Sequence, residues 1–347
     1  MERSRLESFL NHFPNLRIAV VGDFFLDKWL EIDRSLDELS VETGLTAYQV
    51  IKKRLYAGAA GTVLSNLAAL EIGKLYAIGF LGDDGEGFEM LRILRGMGID
   101  TEHLSQYVDV MTPTYTKPVF VTKEGRDISI EETNRLDHKN IRPTPKEIEN
   151  RIITSIREIA GNVDAMIVSD QLVVEGYGVI TERVREALME IGEQYPNLVL
   201  YADSRAFINK FRNMIVKCNN LEAAKLFYPS EEIGLDRAEE CLKKLTAETG
   251  RKVFISCGSK GVMTHDAGGQ TILIPAPVLP PEVKIDIVGA GDACTSGIVS
   301  ALCCGATNDE AAFVGNLAAS ITIQVIGTTG TASRAQVLSQ YQTVYKL

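Results

Sequence analysis

Between residues 146 and 256 the chain alternates, at near-regular spacing, between helical patterns and short apolar runs. A helix over 146–160 leads to Ala165-Met166-Ile167-Val168-Ser169-Asp170, and a helix over 181–194 leads to 198–202 and Asp203. The run 214–217 precedes Asn219-Asn220-Leu221-Glu222, and a helix over 236–249 precedes the run 253–256. Strands that alternate with helices in this way pair through crossovers. The pattern therefore predicts an α/β fold with a doubly wound, mostly parallel sheet. In such sheets ligands gather beyond the carboxyl ends of the strands. Asp27, Asp170, Asp203, Asn219 and Asp292 all fall at such ends, which a scatter of surface loops does not explain.

The run 16–21 is a further buried strand, ending at Gly22-Asp23. A dinucleotide fold needs G-x-G-x-x-G at this point. Only one glycine is present, which argues against a dehydrogenase or a methyltransferase. Two segments break the alternation. Residues 31–53 mix charges with Val41, Thr43, Leu45, Tyr48 and Val50, and 114–131 reads as a hairpin turning at Lys123-Glu124-Gly125-Arg126. We read 1–347 as one domain carrying a small β-sheet lid, with its strands inserted at about 30–56 and 108–134.

The stretch Asp286-Ile287-Val288-Gly289-Ala290-Gly291-Asp292 concentrates the chemistry. Residues 284–288 read as a short β-branched strand, and 290–304 as a helix stopped by Gly305 at its C′ position. Gly289 and Gly291 remove the side chains that would keep a ligand from the backbone. Such a turn leaves several unpaired N–H groups pointing outward beside the positive end of a helix dipole, a ready site for phosphate oxygens. Asp292 in the first turn also offsets that dipole. At an anion site, however, a fixed negative charge repels the ligand unless it has a task, and taking a proton from an attacking hydroxyl is one.

At these residues the chain resembles the ribokinase family, also called the phosphofructokinase-B family of carbohydrate kinases. Its signature runs roughly Asp-Thr-x-Gly-Ala-Gly-Asp-x-Phe-x-x-Gly, with Ile287 and Cys294 here replacing Thr and Phe. The resemblance implies a ribokinase-like fold, Asp292 as catalytic base and the Gly289–Gly291 backbone as the anion hole. It implies that Asp27, spaced as Gly-x-x-x-x-Asp from Gly22, holds sugar hydroxyls, and that Gly58 and Thr62 line the sugar site. There Ala59 and Thr62 replace the family's second Gly and its Asn, which leaves the sugar open. It further implies that Asn219 and Glu222 place Mg²⁺-bound phosphates, Glu222 acting through water, and that Ser259, Gly261 and Asn316 meet the nucleotide. Lys217 is the nearest cation. Asp286 is a candidate for holding a monovalent cation such as K⁺, as in some relatives. Arg135, within Arg135-Leu136-Asp137, resembles the heptose 7-phosphate kinase branch and is a candidate for a substrate phosphate; an exposed salt bridge is an equal reading. A hairpin turn is the plain reading of Gly258–Gly261, and a satisfied core amide that of Asn316.

A net charge of −10 argues against nucleic acid or an anionic membrane as partner. Residues 1–16 lack the apolar core of a signal peptide, and 311–333 hold polar residues that suit a buried helix and loop. The six cysteines lack metal-ligand spacing and read as reduced thiols in a cytoplasmic protein. The expectation is an ATP-dependent, Mg²⁺-using carbohydrate kinase, dimeric through its lid, acting on a sugar or sugar phosphate. The anomeric hydroxyl of a heptose phosphate leads; ribokinase or fructokinase specificity, or a non-catalytic sugar- or nucleotide-binding relative, is the alternative.

Overall fold

The computed structural model describes residues 1–124, 127–229 and 235–345. Alternation along each central strand decides which layer a side chain joins. In Arg17–Gly22, Ile18 and Val20 enter one core while Ala19 and Val21 enter the other. Ala165 and Ile167 part from Met166 and Val168 in the same way along Ala165–Asp170. A strand covered on both faces must read as a continuous apolar run, as these do.

The resulting sheet is nine-stranded. From one edge its order is Thr271–Ile274, Val262–His265, Val253–Ser256, Ile215–Asn219, Val199–Ser204, Ala165–Asp170, Arg17–Gly22, Lys74–Gly82 and Leu104–Tyr107. Val262–His265 runs antiparallel to both of its neighbours, Thr271–Ile274 and Val253–Ser256, and the other neighbouring pairs are parallel. The doubly wound expectation holds. On one face Lys146–Ala160 buries Ile148, Ile152, Ile156 and Ile159, one stripe of an amphipathic helix. On the other, Ala290–Cys303 and Asn308–Thr322 cross where Gly297 meets Gly315. A Cβ on Gly297 would sit 2.9 Å from the Gly315 Cα. Among the described residues no helix is long and apolar enough to cross a membrane.

A second, five-stranded sheet combines Phe24–Ile32, Val50–Ala59, Thr114–Glu124, Asp127–Glu132 and Leu136–His138. Phe24–Ile32 lies at its centre, antiparallel to Val50–Ala59 and parallel to Thr114–Glu124. The hairpin residues Gly125 and Arg126 lie outside the described residues. Only Asp23 separates the core strand Arg17–Gly22 from Phe24–Ile32. Its buried carboxylate accepts from the Gln171 N–H (3.1 Å) and the Val179 N–H (2.7 Å), clamping the loop after Ala165–Asp170 against the handover.

The predicted strand at 284–288 does not form. Ile285, Ile287 and Val288 are exposed, and the segment meets a loop instead of a sheet edge. The Asp286 N–H donates to Ile323 O (2.7 Å), and its carboxylate accepts from the Val288 N–H (3.1 Å) and the Gly327 N–H (3.1 Å). A β-branched run is only a preference, and here no strand stood beside it to supply a ladder.

Ala59 joins the lid strand to the helix Ala60–Ala69 with φ 53° and ψ −120°, a conformation costly for any residue with a Cβ. The following Ala60 N–H is held by Asp23 O at 3.0 Å, so the bend cannot relax. Ala59→Gly is expected to stabilise the protein by about 1 kcal/mol, strain relief outweighing the entropy of a freer unfolded chain. A raised urea midpoint at unchanged slope would verify it; a lowered midpoint would refute it.

Candidate active site

The glycine turn forms as a helix start. Gly289 takes the left-handed conformation, φ 80°. A Cβ there would lie 2.7 Å from Thr329 Cγ2 and 3.5 Å from Thr62 Cγ2, so only glycine fits between the facing loops. The Ala290 N–H closes the turn onto Ile287 O (3.2 Å), and the Ala293 N–H donates to Gly289 O (3.0 Å). The N–H groups between them, on Gly291 and Asp292, open the helix, where the first turn has no intrahelical acceptors. Of the expected Gly289–Gly291 groups, the Ala290 N–H is used within the turn. The far end closes as read, with Gly305 at φ 77° and its N–H and that of Ala306 donating to Leu302 O and Ala301 O.

Beneath this turn lies an ion pair. Lys217, in the middle of Ile215–Asn219, places Nζ 2.6 Å from Asp203 Oδ2. The same oxygen accepts from Thr295 Oγ1 at 3.1 Å. Burial alone would drive the Lys217 ammonium down; Asp203 outweighs it and holds the pKa above the ordinary lysine range. A Cβ on Gly291 would stand 3.2 Å from Lys217 Nζ, so the ammonium lies against the turn's bare backbone. Burial raises the Asp292 carboxyl to about 7, and repulsion from Asp203 adds to it. Lys217 and Arg205 pull the other way, while Asp27 pushes in the same direction as Asp203.

Asp27 stands on the facing wall. In its strand, Phe25, Asp27 and Trp29 alternate away from Leu26 and Lys28, which turn to the body of the protein; Lys28 pairs with Glu86 at 2.9 Å. Asp27 Oδ1 is 3.6 Å from Lys117 Nζ, whose ammonium also covers the Trp29 ring at 4.9 Å. A Cβ on Gly58 would come within 2.8 Å of Asp27 Oδ2, which explains the bare position opposite. Tyr115, paired with Asp27 across the parallel ladder, stacks on Phe25 at 4.8 Å. Arg135 covers Tyr115 at 4.4 Å and binds Asp137 through two hydrogen bonds, of 2.7 and 2.8 Å, so the salt-bridge reading applies to it.

The remaining candidates are bound into the fold. Thr62 is buried and donates to Ala57 O at 3.3 Å. Asn219 and Glu222 form a reciprocal capping box on Asn220–Phe227, each bond 2.8 Å, so their spacing has a local cause. Burial nevertheless raises the Glu222 carboxyl, and its Oε2 alone is used in the cap. Ser259 is exposed in the turn between Val253–Ser256 and Val262–His265. Gly261, at φ 110°, is required there because a Cβ would strike Ile274 O at 2.0 Å. Asn316 donates Nδ2 to Ile274 O (2.8 Å) and Pro275 O (3.3 Å), tying its helix to the edge strand.

Sequence reasoning missed Arg205 and Lys117. Arg205 follows Asp203 by two residues at a strand's carboxyl end, and its charge opposes burial at Asp292, Glu222 and Tyr115 alike. That position was a usable signal. For Lys117 none existed, because only strand pairing sets it diagonally from Asp27.

A family pattern described as pfkB family carbohydrate kinase matches residues 18–335. Similar curated proteins include the Bifunctional protein HldE of Geotalea uraniireducens, 28% identical over 98% of this chain and 66% of that protein. That of Wolinella succinogenes is 29% identical over 92% of this chain and 63% of its own length. The chain thus spans about two thirds of these relatives. In fold it is similar to Arabidopsis thaliana ribokinase complexed with ribose and ATP, with TM-score 0.65, 19% identity and coverage of 94% of this chain and 98% of that one. Phosphofructokinase-2 from Escherichia coli in complex with fructose-6-phosphate gives TM-score 0.66 and 16% identity over 95% of this chain and 99% of that one.

Lys217→Met leaves Asp203 buried beside Asp292 without its cation. The expected loss is about 3 kcal/mol of stability, and Asp292 should titrate at higher pH because a charge that lowered its pKa is gone. Denaturation, with NMR titration of the Asp292 carboxyl, reads both; an unmoved titration would break the link drawn between the two residues.

Proposed function

The chain belongs to the pfkB family of carbohydrate kinases, and we propose that it transfers the γ-phosphoryl group of ATP to a hydroxyl of a sugar phosphate with Asp292 as the base. The observation that carries this reading is a carboxylate raised to about 7 at the same helix start that presents open N–H groups. A base needs a pKa near the working pH, and a phosphoryl group needs donors where its charge gathers. Asp27, with Lys117 beside it, orients the sugar. Asp292 takes the proton from the attacking hydroxyl. The hydroxyl oxygen forms the new O–P bond as the bond from γ-phosphorus to the bridging oxygen breaks, and ADP leaves with that electron pair. The Gly291 and Asp292 N–H groups, Lys217 and Arg205 stabilise the charge in transit.

Glu222, with an oxygen outside the cap and a carboxyl destabilised by burial, fits a water-mediated Mg²⁺ that would neutralise the nucleotide phosphates. Asp286 uses its oxygens on backbone N–H groups and serves mainly to hold the turn; no step runs through K⁺ there. Arg135 and Lys139, both over Tyr115 (4.4 and 5.4 Å), share the single carboxylate of Asp137 and so leave an excess of positive charge on the sugar side. That supports a phosphorylated acceptor, with the anomeric hydroxyl of a heptose 7-phosphate as the leading candidate. The cysteines, all free, suit a reducing cytoplasm. Leu39, Val41, Leu45, Ile130 and Leu136 are exposed around the lid, and their cover is a second copy of the chain. Sedimentation of the full chain tests this, a monomer at micromolar concentration speaking against it.

Asp292→Asn should fold and bind ATP yet lose roughly two or more orders of magnitude in kcat. The sign of the pH effect follows from the base being active when deprotonated. With the carboxyl at about 7, kcat/KM of the parent falls as pH drops through that value, and the residual rate of the variant does not. ADP release measured over heptose 7-phosphate, fructose 6-phosphate and ribose identifies the acceptor. An undiminished variant would end the assignment of Asp292, and no turnover of the heptose would end that specificity.

A further inference from the structure

At the amino ends of the central strands, opposite the site above, lies a cavity of about 710 Å³. Its floor is the start of Val199–Ser204 and Ile215–Asn219, with Leu200 and Met214 in the lining, and Arg251 and Lys252 stand on its wall just before Val253–Ser256. This volume is that of a small organic ligand, and an apolar floor with a few convergent polar groups is the usual make-up of such a site.

The polar groups are unmatched within the protein. Among the described residues Lys252 has no ion-pair partner, and burial, with nothing to offset it, holds its ammonium below the ordinary lysine range. Arg251 reaches only a backbone carbonyl, Gly192 O at 3.5 Å. Two acids next in sequence to lining residues are otherwise engaged: Glu193 accepts from Asn213 Nδ2 (2.7 Å), and Asp266 from the Gly268 and Gln270 N–H groups. Asn308 donates Nδ2 to His265 O (2.8 Å) while its Oδ1 is buried with no hydrogen-bond partner.

We propose that this cavity is a second small-molecule site. It binds a small organic anion whose phosphate or carboxylate lies between Arg251 and Lys252 and whose remainder lies over Leu200 and Met214. The proposal does not depend on the kinase reading, since no residue is shared between the two sites.

Trace acetylation of the full chain with acetic anhydride, followed residue by residue by mass spectrometry, tests it directly. The probes are inorganic phosphate, adenosine monophosphate and citrate, with Lys146 as the internal reference. Labelling of Lys252 should slow roughly tenfold when a probe exceeds its Kd tenfold, with Lys146 unchanged. Protection by the phosphates alone or by citrate alone assigns the anionic group. Arg251→Gln should weaken that protection without altering the labelling of Lys146. Failure of every probe at millimolar concentration, or protection that survives Arg251→Gln undiminished, overturns the proposal.

Discussion

The pairing of Lys217 with Asp203 underlies the chemistry of this protein. Two carboxylates, Asp203 and Asp292, are held close enough for one to raise the pKa of the other, in surroundings poor in water. Without a cation between them they would not both stay charged. Lys217 satisfies Asp203 at 2.6 Å and lies against the backbone of Gly291, so one ammonium serves the ion pair, lowers the pKa of Asp292 and sits beside the glycine turn. Asp292 is left near neutrality in pKa, where a base is most useful.

The chain as a whole is acidic, with a net charge of −10, yet its proposed substrates are anions. The conflict is resolved locally. Arg205, Lys217, Lys117 and Arg135 all act on the cleft carboxylates or on Tyr115, and helix-start N–H groups add positive potential without a side chain. Such a cleft attracts phosphate over a short range and leaves the outer surface repulsive to polyanions.

Position of the lid depends on a second buried acid. Asp23 lies between a core strand and the central lid strand, and it holds the Gln171 and Val179 N–H groups. Its backbone carbonyl also receives the Ala60 N–H just after the strained Ala59. A further tie runs from Arg54, paired with Glu31, to Gly327 O, whose own N–H is held by Asp286. The lid strands and the loop around Gly327 that holds Asp286 are therefore tied together through side chains that meet backbone groups.

Much of this was written locally. Apolar runs buried on both faces, helix stripes and the αL glycine at 305 depend on near neighbours, so the sequence alone determined the layered fold and placed Asp170, Asp203 and Asn219 at the ends of core strands, whereas Asp27 falls inside the lid strand Phe24–Ile32 and Asp292 in the first turn of Ala290–Cys303 with no strand before it. It misjudged 284–288, because β-branching is a preference that needs an adjacent strand to act on. It did not reveal that Asn219 and Glu222 cap each other, although the spacing allows it, since the same spacing serves a phosphate site. Which cation meets which acid, the approach of Lys117 to Asp27, and the backbone conformation imposed on Ala59 arise between segments far apart in the chain. Those were decided only by tertiary structure, because side-chain charges interact through space and carry no trace of their partners in sequence order.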